Sequence, residues 1–260
     1  MDYGIAGKHA LITGGATGIG LSVAKAFSAE GAGVTVSGLN SEEVDSAVAE
    51  LGSNAQGLAG DLTKPEDANA LYEFAKAAAD VDFLVNSVGI FAVHDFFDIP
   101  DEEWFRYFDV NVMTGVRMSR LALKDMLNRG DGSIVFISSE SGVKPQAWMA
   151  HYGAMKTCLL GLSRALAELT SGTAVRVNTI LPGPTNTEAV RRYHEEIASD
   201  RGITREAVVV EYFDETEPTS LIRRMIEPEE VARSVLHLAA SPCLNGMAMR
   251  AEGGTIRAVI

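Results

Sequence analysis

Tyr152 and Lys156 stand four residues apart in Tyr152-Gly153-Ala154-Met155-Lys156, a spacing that puts both side chains on one face of a helix. A phenol with a pKa of about 10 is a poor acid or base at neutral pH. A neighbouring ammonium favours the phenolate and makes proton exchange with a substrate oxygen feasible. Taken alone, the pair also reads as an ordinary polar pair on a helix surface. Ser139 follows the apolar run Ile134-Val135-Phe136-Ile137 and precedes Tyr152 by 13 residues, enough for a loop that brings both hydroxyls to one oxygen. Ser138 and Ser141 offer the same chemistry, with turn or cap formation as their plain role. No nucleophile and no covalent intermediate is called for.

A second chemical signal is Thr13-Gly14-Gly15-Ala16-Thr17-Gly18-Ile19-Gly20. Glycines without Cβ let a pyrophosphate approach the backbone, and a helix that begins there offers free N–H groups and a partial positive charge. A tight turn without any ligand accounts for the glycines equally well, and the strict G-x-G-x-x-G pattern is absent.

Elements that would position these groups are readable around them. Apolar runs at 9–13, 34–37, 57–60, 81–86, 133–139, 175–181 and 247–251 predict seven strands buried on both faces, as in a parallel sheet. Helical spacing at 19–30, 42–51, 67–79, 102–128, 152–170 and 229–240 fills the gaps between them. Thr63-Lys64-Pro65-Glu66 reads as a capping box, Ser41 precedes two glutamates, and Glu227-Pro228-Glu229-Glu230 puts proline and acids in a first turn. The alternation predicts a doubly wound α/β fold, one domain over residues 1–260, with right-handed crossovers. Residues 185–225, with helices near 188–199 and 205–212, read as an inserted substrate-binding lid.

Composition narrows the partners. With 22 Lys+Arg against 35 Asp+Glu, the formal net charge of -13 opposes binding to nucleic acid or anionic membrane. A chain 47% hydrophobic and 22% charged is an ordinary folded one. Residues 1–8 carry no basic-then-apolar leader and no window is apolar enough to span a bilayer, so a cytoplasmic location is expected. Cys158 and Cys243 are isolated and are expected simply to pack. His9, His94, His151, His194 and His237 form no ligand pair, so no metal site is expected.

Further landmarks follow in order: Asp61, Asn86-Ser87-Val88-Gly89, Asn111, then Ser139 with Tyr152 and Lys156, and finally Pro182-Gly183-Pro184-Thr185-Asn186-Thr187. Together with T-G-x-x-x-G-I-G after the first strand, they resemble the short-chain dehydrogenase/reductase family over essentially the whole chain. The resemblance implies a Rossmann-type fold and a metal-free exchange of hydride between a nicotinamide dinucleotide and a small-molecule alcohol or ketone. It assigns the proton to Tyr152, the lowering of its pKa and a ribose contact to Lys156, the substrate oxygen to Ser139, and a proton relay to Asn111. Cofactor contacts would fall to Gly14, Thr17, Gly18, Ile19 and Gly20 in the turn, to Gly38 and Leu39 after the second strand, and to Asp61 and Leu62 at the adenine. Asn86 and Gly89 would line the adenosine ribose, Pro182, Gly183 and Thr187 the nicotinamide, and Tyr152 and Lys156 would also contact the cofactor. Plain readings stand beside these: a strand-pinning amide for Asn86, a helix approach for Asp61, a solvent-facing residue for Asn111. Ser87-Val88 replaces the family's common Asn-Ala, a departure that bears on packing more than on chemistry. A homodimer or homotetramer through 102–128 and 152–170, with the 253–260 tail near an interface, is also implied.

Gly38 occupies the place of the acid that accepts from the NAD ribose, and Leu39 that of the arginine that meets the NADP phosphate. A phosphate without a cation is unfavourable, which leans the expectation from NAD(P) in general to NAD, with Ser37 and Asn40 able to contact a phosphate. Phe91, His94, Phe96, Phe97, Trp148 and Met149 suggest a partly apolar pocket for a 3-oxoacyl or other hydrophobic ketone. Arg191-Arg192 and Arg223-Arg224 are the candidate cations for an anionic substrate. The rival function is a dinucleotide-binding sensor or structural protein of the same fold without turnover.

Overall fold

Each of the seven apolar runs becomes a strand of one sheet. In chain order the elements are β1 (His9–Thr13), α1 (Gly18–Ala29), β2 (Gly33–Gly38), α2 (Ser41–Leu51), β3 (Ala55–Ala59), α3 (Pro65–Ala78), β4 (Phe83–Asn86), α4 (Asp101–Phe108), α5 (Thr114–Arg129), β5 (Asp131–Ile137), α6 (Ala150–Glu168), β6 (Ala174–Pro182), α7 (Glu188–Arg201), α8 (Arg205–Glu211), α9 (Pro228–Ala240) and β7 (Ala248–Ala251). The computed structural model describes residues 3–259; Met1, Asp2 and Ile260, the ends of the leader and tail segments considered above, lie outside the described residues. Strand order is β3-β2-β1-β4-β5-β6-β7, with every pairing parallel. This is the doubly wound Rossmann-type architecture that the alternation predicted.

Continuous apolarity of the central strands follows from their two covered faces. Successive side chains alternate, so Ile12, Val85 and Val135 pack with α1, α2 and α9, while Leu11, Leu84 and Ile134 pack with α3, α5 and α6. Six of these strand residues are completely buried.

The largest departure from the periodicity is the stretch 102–128, which is two helices joined by a π-helical turn at Asp109–Met113. Asn111 is responsible in part: its Nδ2 donates to the Tyr107 carbonyl at 3.1 Å, taking an acceptor from the regular helix ladder. Caps also differ. Asn40, not Ser41, caps α2 by accepting from Glu42 N. No capping box forms at 63–66; Thr63 turns back to donate from its N and Oγ1 to Asp61, and α3 starts at Pro65 without a side-chain cap. Proline and acids open α9 as expected, and a capping box not anticipated from the sequence forms there, with Glu227 and Glu230 bonding reciprocally.

Cys158 and Cys243 are exposed thiols, contrary to the expectation that they pack. Among the described residues no helix is long and apolar enough to cross a membrane. Residues 185–225 form α7, α8 and a π-helical turn at Tyr212–Thr216. Their stem is closed by backbone: Thr185 bridges Ile226, Asn186 N donates to Ile226 O, and Ile226 N donates to Pro184 O, both at 2.8 Å.

Candidate active site

From the adjacent β1 and β4 the chain winds outward in opposite directions, which opens a crevice beyond their carboxyl ends. The glycine turn sits there. Gly14 and Gly18 have φ of +61° and +55°, conformations that residues with a Cβ seldom adopt. A Cβ on Gly20 would lie 2.1 Å from the Gly14 oxygen, so turn and α1 meet backbone to backbone. Thr17 precedes α1 without a side-chain cap bond and so leaves the first-turn N–H groups to another acceptor. A bare backbone cradle at a helix N-terminus fits the pyrophosphate of a dinucleotide.

A cleft of about 1030 Å³ runs from this turn, past the strand ends, to the underside of α7 and α8. Ser139 lies just beyond β5. Its Oγ accepts from Ser141 N at 3.1 Å and donates to Glu140 Oε2 at 2.7 Å. From the start of α6 the Tyr152 phenol faces the same hydroxyl. One turn on, Lys156 reaches back with Nζ 5.5 Å from the Tyr152 ring centre and donates to Ile137 O at 3.0 Å. Asn111 accepts from Ile90 N through Oδ1. A Cβ added to Gly89 would meet both Asn111 Oδ1, at 2.9 Å, and Lys156 Nζ, at 3.2 Å. The glycine thus lets the amide and the ammonium approach one another.

The electrostatics correct one expectation. The Tyr152 pKa is not lowered in the protein alone: burial holds it well above the ordinary phenol value, Glu140 adds to this, and only the Ser139 hydroxyl acts in the opposite direction. Lys156 is itself desolvated, its pKa pushed down to about 8 by burial against the opposing pull of Glu140. The ammonium lies over the ring and does not bond the phenol oxygen, so burial outweighs it. Glu140 is the counterpart, pushed up to about 7, chiefly by burial.

Gly14, Thr17, Gly18, Ile19, Gly20, Gly38, Leu39, Asp61, Leu62, Gly89, Pro182, Gly183 and Thr187 all line the cleft, together with Ser139, Tyr152 and Lys156. Asn86 does not; buried behind the wall, it donates to Ser119 Oγ on α5, close to its plain strand-pinning role. Asn111 is likewise buried behind the lining and not solvent-facing. The Asp61 carboxylate is held by Thr63, and Thr187 caps α7 by accepting from Val190 N. Of the apolar set, Phe91, Trp148 and Met149 reach the cleft, whereas Phe96 and Phe97 are exposed and His94 packs on His151. Arg192 lines the cleft, but Arg223 and Arg224 are paired with Asp214 and Glu230.

Lining residues without a part in the site as read from the sequence include Glu43, Glu140, Gln146 and Tyr212. Only Glu140 left a trace, an acid directly following a buried strand and a candidate serine.

Comparison with known proteins agrees with this geometry. The family model described as short chain dehydrogenase matches residues 8–198. The Bacillus subtilis protein named uncharacterized oxidoreductase YvrD is 46% identical over the full length of both chains. Galactitol 2-dehydrogenase (L-tagatose-forming) of Cereibacter sphaeroides is 33% identical over 98% of each. L-Sorbose reductase of Gluconobacter frateurii, solved with NADPH and L-sorbose, superposes with a TM-score of 0.94 at 29% identity, covering 100% of both chains. A cleft built on a glycine turn, with a serine, a tyrosine and a lysine at its inner end, accordingly has a family: the chain belongs to the short-chain dehydrogenases.

Proposed function

We propose that the protein is a cytoplasmic NAD(P)-dependent oxidoreductase that interconverts a secondary alcohol and a ketone. The observation that carries this reading is the convergence of the Ser139 hydroxyl, the Tyr152 phenol and the Lys156 ammonium at one end of a cleft whose other end is a bare glycine cradle. When bound, the nicotinamide supplies the hydride for reduction and takes it in oxidation. Tyr152 gives its proton to the carbonyl oxygen, and its raised pKa keeps that proton in place at neutral pH. Ser139 holds the same oxygen. Lys156 spends one donor on Ile137 O and has others for ribose hydroxyls and for a water on the Asn111 side, through which the phenol is reprotonated. Residues 185–225 act as the lid over the substrate.

For the substrate, the lining favours a short hydroxylated ketone over a long acyl chain. Gln146, His194 and Tyr212 line the cleft beside Phe91 and Met149, and polar side chains of this kind suit substrate hydroxyls. The relatives named for galactitol and L-sorbose agree in kind. The test is a panel of ketoses, polyols and 3-oxoacyl thioesters with NADH and NADPH, followed by reduced-nicotinamide absorbance. Turnover of a ketose or polyol is expected; tight dinucleotide binding with no turnover across the panel would return the protein to the sensor reading.

NAD and NADP are both retained, because the solved relative with NADPH removes the support for a lean to NAD. Locally, Leu39 is 78% exposed at the cleft margin, Glu43 lies beside it, and the Asn40 side chain is occupied in capping α2. Leu39→Arg is therefore expected to raise the NADPH-to-NADH ratio of kcat/KM by about tenfold or more, the effect of one charge-assisted bond to the ribose phosphate. An unchanged ratio would place that phosphate elsewhere.

Assembly as a homodimer or homotetramer through α4, α5 and α6 is part of the same reading, and Phe105 on α4, 73% exposed, is a surface that such a contact would cover. Light scattering at two or four times the chain mass is the expected result, and a monomer at micromolar concentration would reject it.

A further inference from the structure

Directly behind the Ser139 hydroxyl lies a carboxyl that the mechanism above does not use. Glu140 opens a short turn, Glu140–Gly142, that Ser139 caps, and it is only 6% exposed. Ser139 Oγ and Glu140 Oε2 are 2.7 Å apart, and Ser141 N donates to the same Oγ at 3.1 Å. A hydroxyl has one proton to give and two lone pairs to fill. With Ser141 on one lone pair, the protonation state of the carboxyl decides what is left for the cleft.

We propose that Glu140 is a positioning residue that sets the direction of the Ser139 hydroxyl. Neutral, it donates to Oγ and frees the Ser139 proton for a substrate carbonyl; ionised, it takes that proton and leaves the cleft a lone pair. The proposal rests on the reading of Ser139 as the group that holds the substrate oxygen.

Charged and titratable groups reach Glu140 from three segments. Lys144 comes from its own loop, Tyr152 and Lys156 from α6, and Tyr212 and Glu217 from the insertion. Burial pushes Glu140 up to about 7, Glu217 acts in the same direction, and Ser139 and Lys144 oppose. Both phenols are pushed above their ordinary range and stay neutral at neutral pH. Glu217 is paired with Lys144 at 2.6 Å. Glu140, at about 7, and Lys156, at about 8, thus lie far closer to neutrality than the two phenols.

Two measurements test the idea. In the substrate-free protein, infrared difference spectra against Glu140→Gln are expected to show a neutral-carboxyl band that titrates near pH 7. Its midpoint should move upward in Ser139→Ala, because the serine bond favours the ionised form. In kinetics, the amide of E140Q donates to Oγ at every pH, whereas the wild type loses its donor as Glu140 ionises. The ratio of E140Q to wild-type kcat/KM for ketone reduction is therefore expected to rise by roughly tenfold per pH unit through the neutral range. Because the Glu140 charge also raises the Tyr152 and Lys156 pKa values, the same ratio is taken in the Ser139→Ala background, where only the contributions through Tyr152 and Lys156 remain. A carboxyl ionised throughout, a midpoint indifferent to Ser139→Ala, or a ratio flat with pH would overturn the proposal. Should E140Q not fold, the wild-type and Ser139→Ala titrations, with the glutamate carboxyl isotope-labelled, decide it. Failure of the wild type to reduce any ketone while the infrared titration behaves as expected would count against the oxidoreductase reading and leave the Glu140–Ser139 coupling standing.

Discussion

Replacing Tyr152 by Phe is expected to lower kcat/KM for ketone reduction by about 10²- to 10⁴-fold while dinucleotide binding stays intact. The magnitude follows from the role: without the phenol no group with a transferable proton faces Ser139 from α6, and general acid catalysis is lost. Volume is conserved, so the edge contact with Phe91, ring centres 6.4 Å apart, and the stacking of Lys156 over the ring survive. Stability is expected to hold or rise, since a buried hydroxyl is removed from a site where burial dominates its titration. The loss should fall on kcat more than on KM, as for an interaction made mainly in the transition state. Turnover, cofactor titration and a melting curve on the same preparation check it. Retention of activity within tenfold of wild type would remove Tyr152 from the mechanism.

The raised phenol pKa also gives the direction of the pH dependence. A protonated Tyr152 is the form that reduces, and it is the resting form at neutral pH. Oxidation of an alcohol needs the ionised form, so its rate should climb with pH over a range in which reduction does not. A bound oxidised cofactor, with its positive charge, would lower the phenol pKa from the value set by burial alone.

The glycine turn, the strand ends and the Tyr152–Lys156 spacing were legible because each is a local pattern with one structural outcome. Strand β1 came out at its expected bounds because its apolar run ends abruptly at Thr13-Gly14. What escaped was decided between distant segments. Asn111 divides its amide between the Tyr107 carbonyl and the Ile90 N–H arriving from another loop, an arrangement that no helical periodicity encodes. The same is true of Asn86, whose partner Ser119 lies 33 residues away. Glu43 seemed a routine first-turn acid of α2 and became part of the cofactor margin only once the cleft existed. Glu140 and Glu217 are invisible to hydropathy patterns, which count acids as surface residues, yet both are buried.

Glu217→Ala is expected to destabilise the protein by about 2–4 kcal/mol and to raise KM for substrate. Breaking a buried ion pair costs roughly 3–5 kcal/mol, reduced here because Lys144 is one-third exposed and can return to water. Glu217 is fully buried at the end of the insertion, where it accepts from Lys144 Nζ at 2.6 Å and from Gln146 Nε2 at 3.0 Å. Lys144 also reaches Thr219 at 3.2 Å, and Thr219 in turn donates to the Thr255 carbonyl. One carboxylate thus ties the end of the insertion to the loop that carries Ser139 and Glu140, in addition to the backbone stem, the bonds of Leu221 N and Ile222 N to Gly253 O and the Asn186 amide's bonds to Glu227. Without that tie, α7 and α8 lose their register over the cleft, Gln146 loses its anchor, and the bound substrate loses contacts. Glu217→Gln, which keeps an acceptor for Gln146 but not the charge, should cost less than the alanine variant. Both substitutions also leave Lys144 without its countercharge near Glu140, so the Glu140 pKa should fall and the alkaline loss of ketone reduction should begin at lower pH. Urea unfolding and a KM-against-kcat comparison across pH test these linked effects. A variant as stable as wild type, with unchanged KM, would mean that the stem and the bonds to Gly253 and Glu227 hold the insertion without the Glu217 tie.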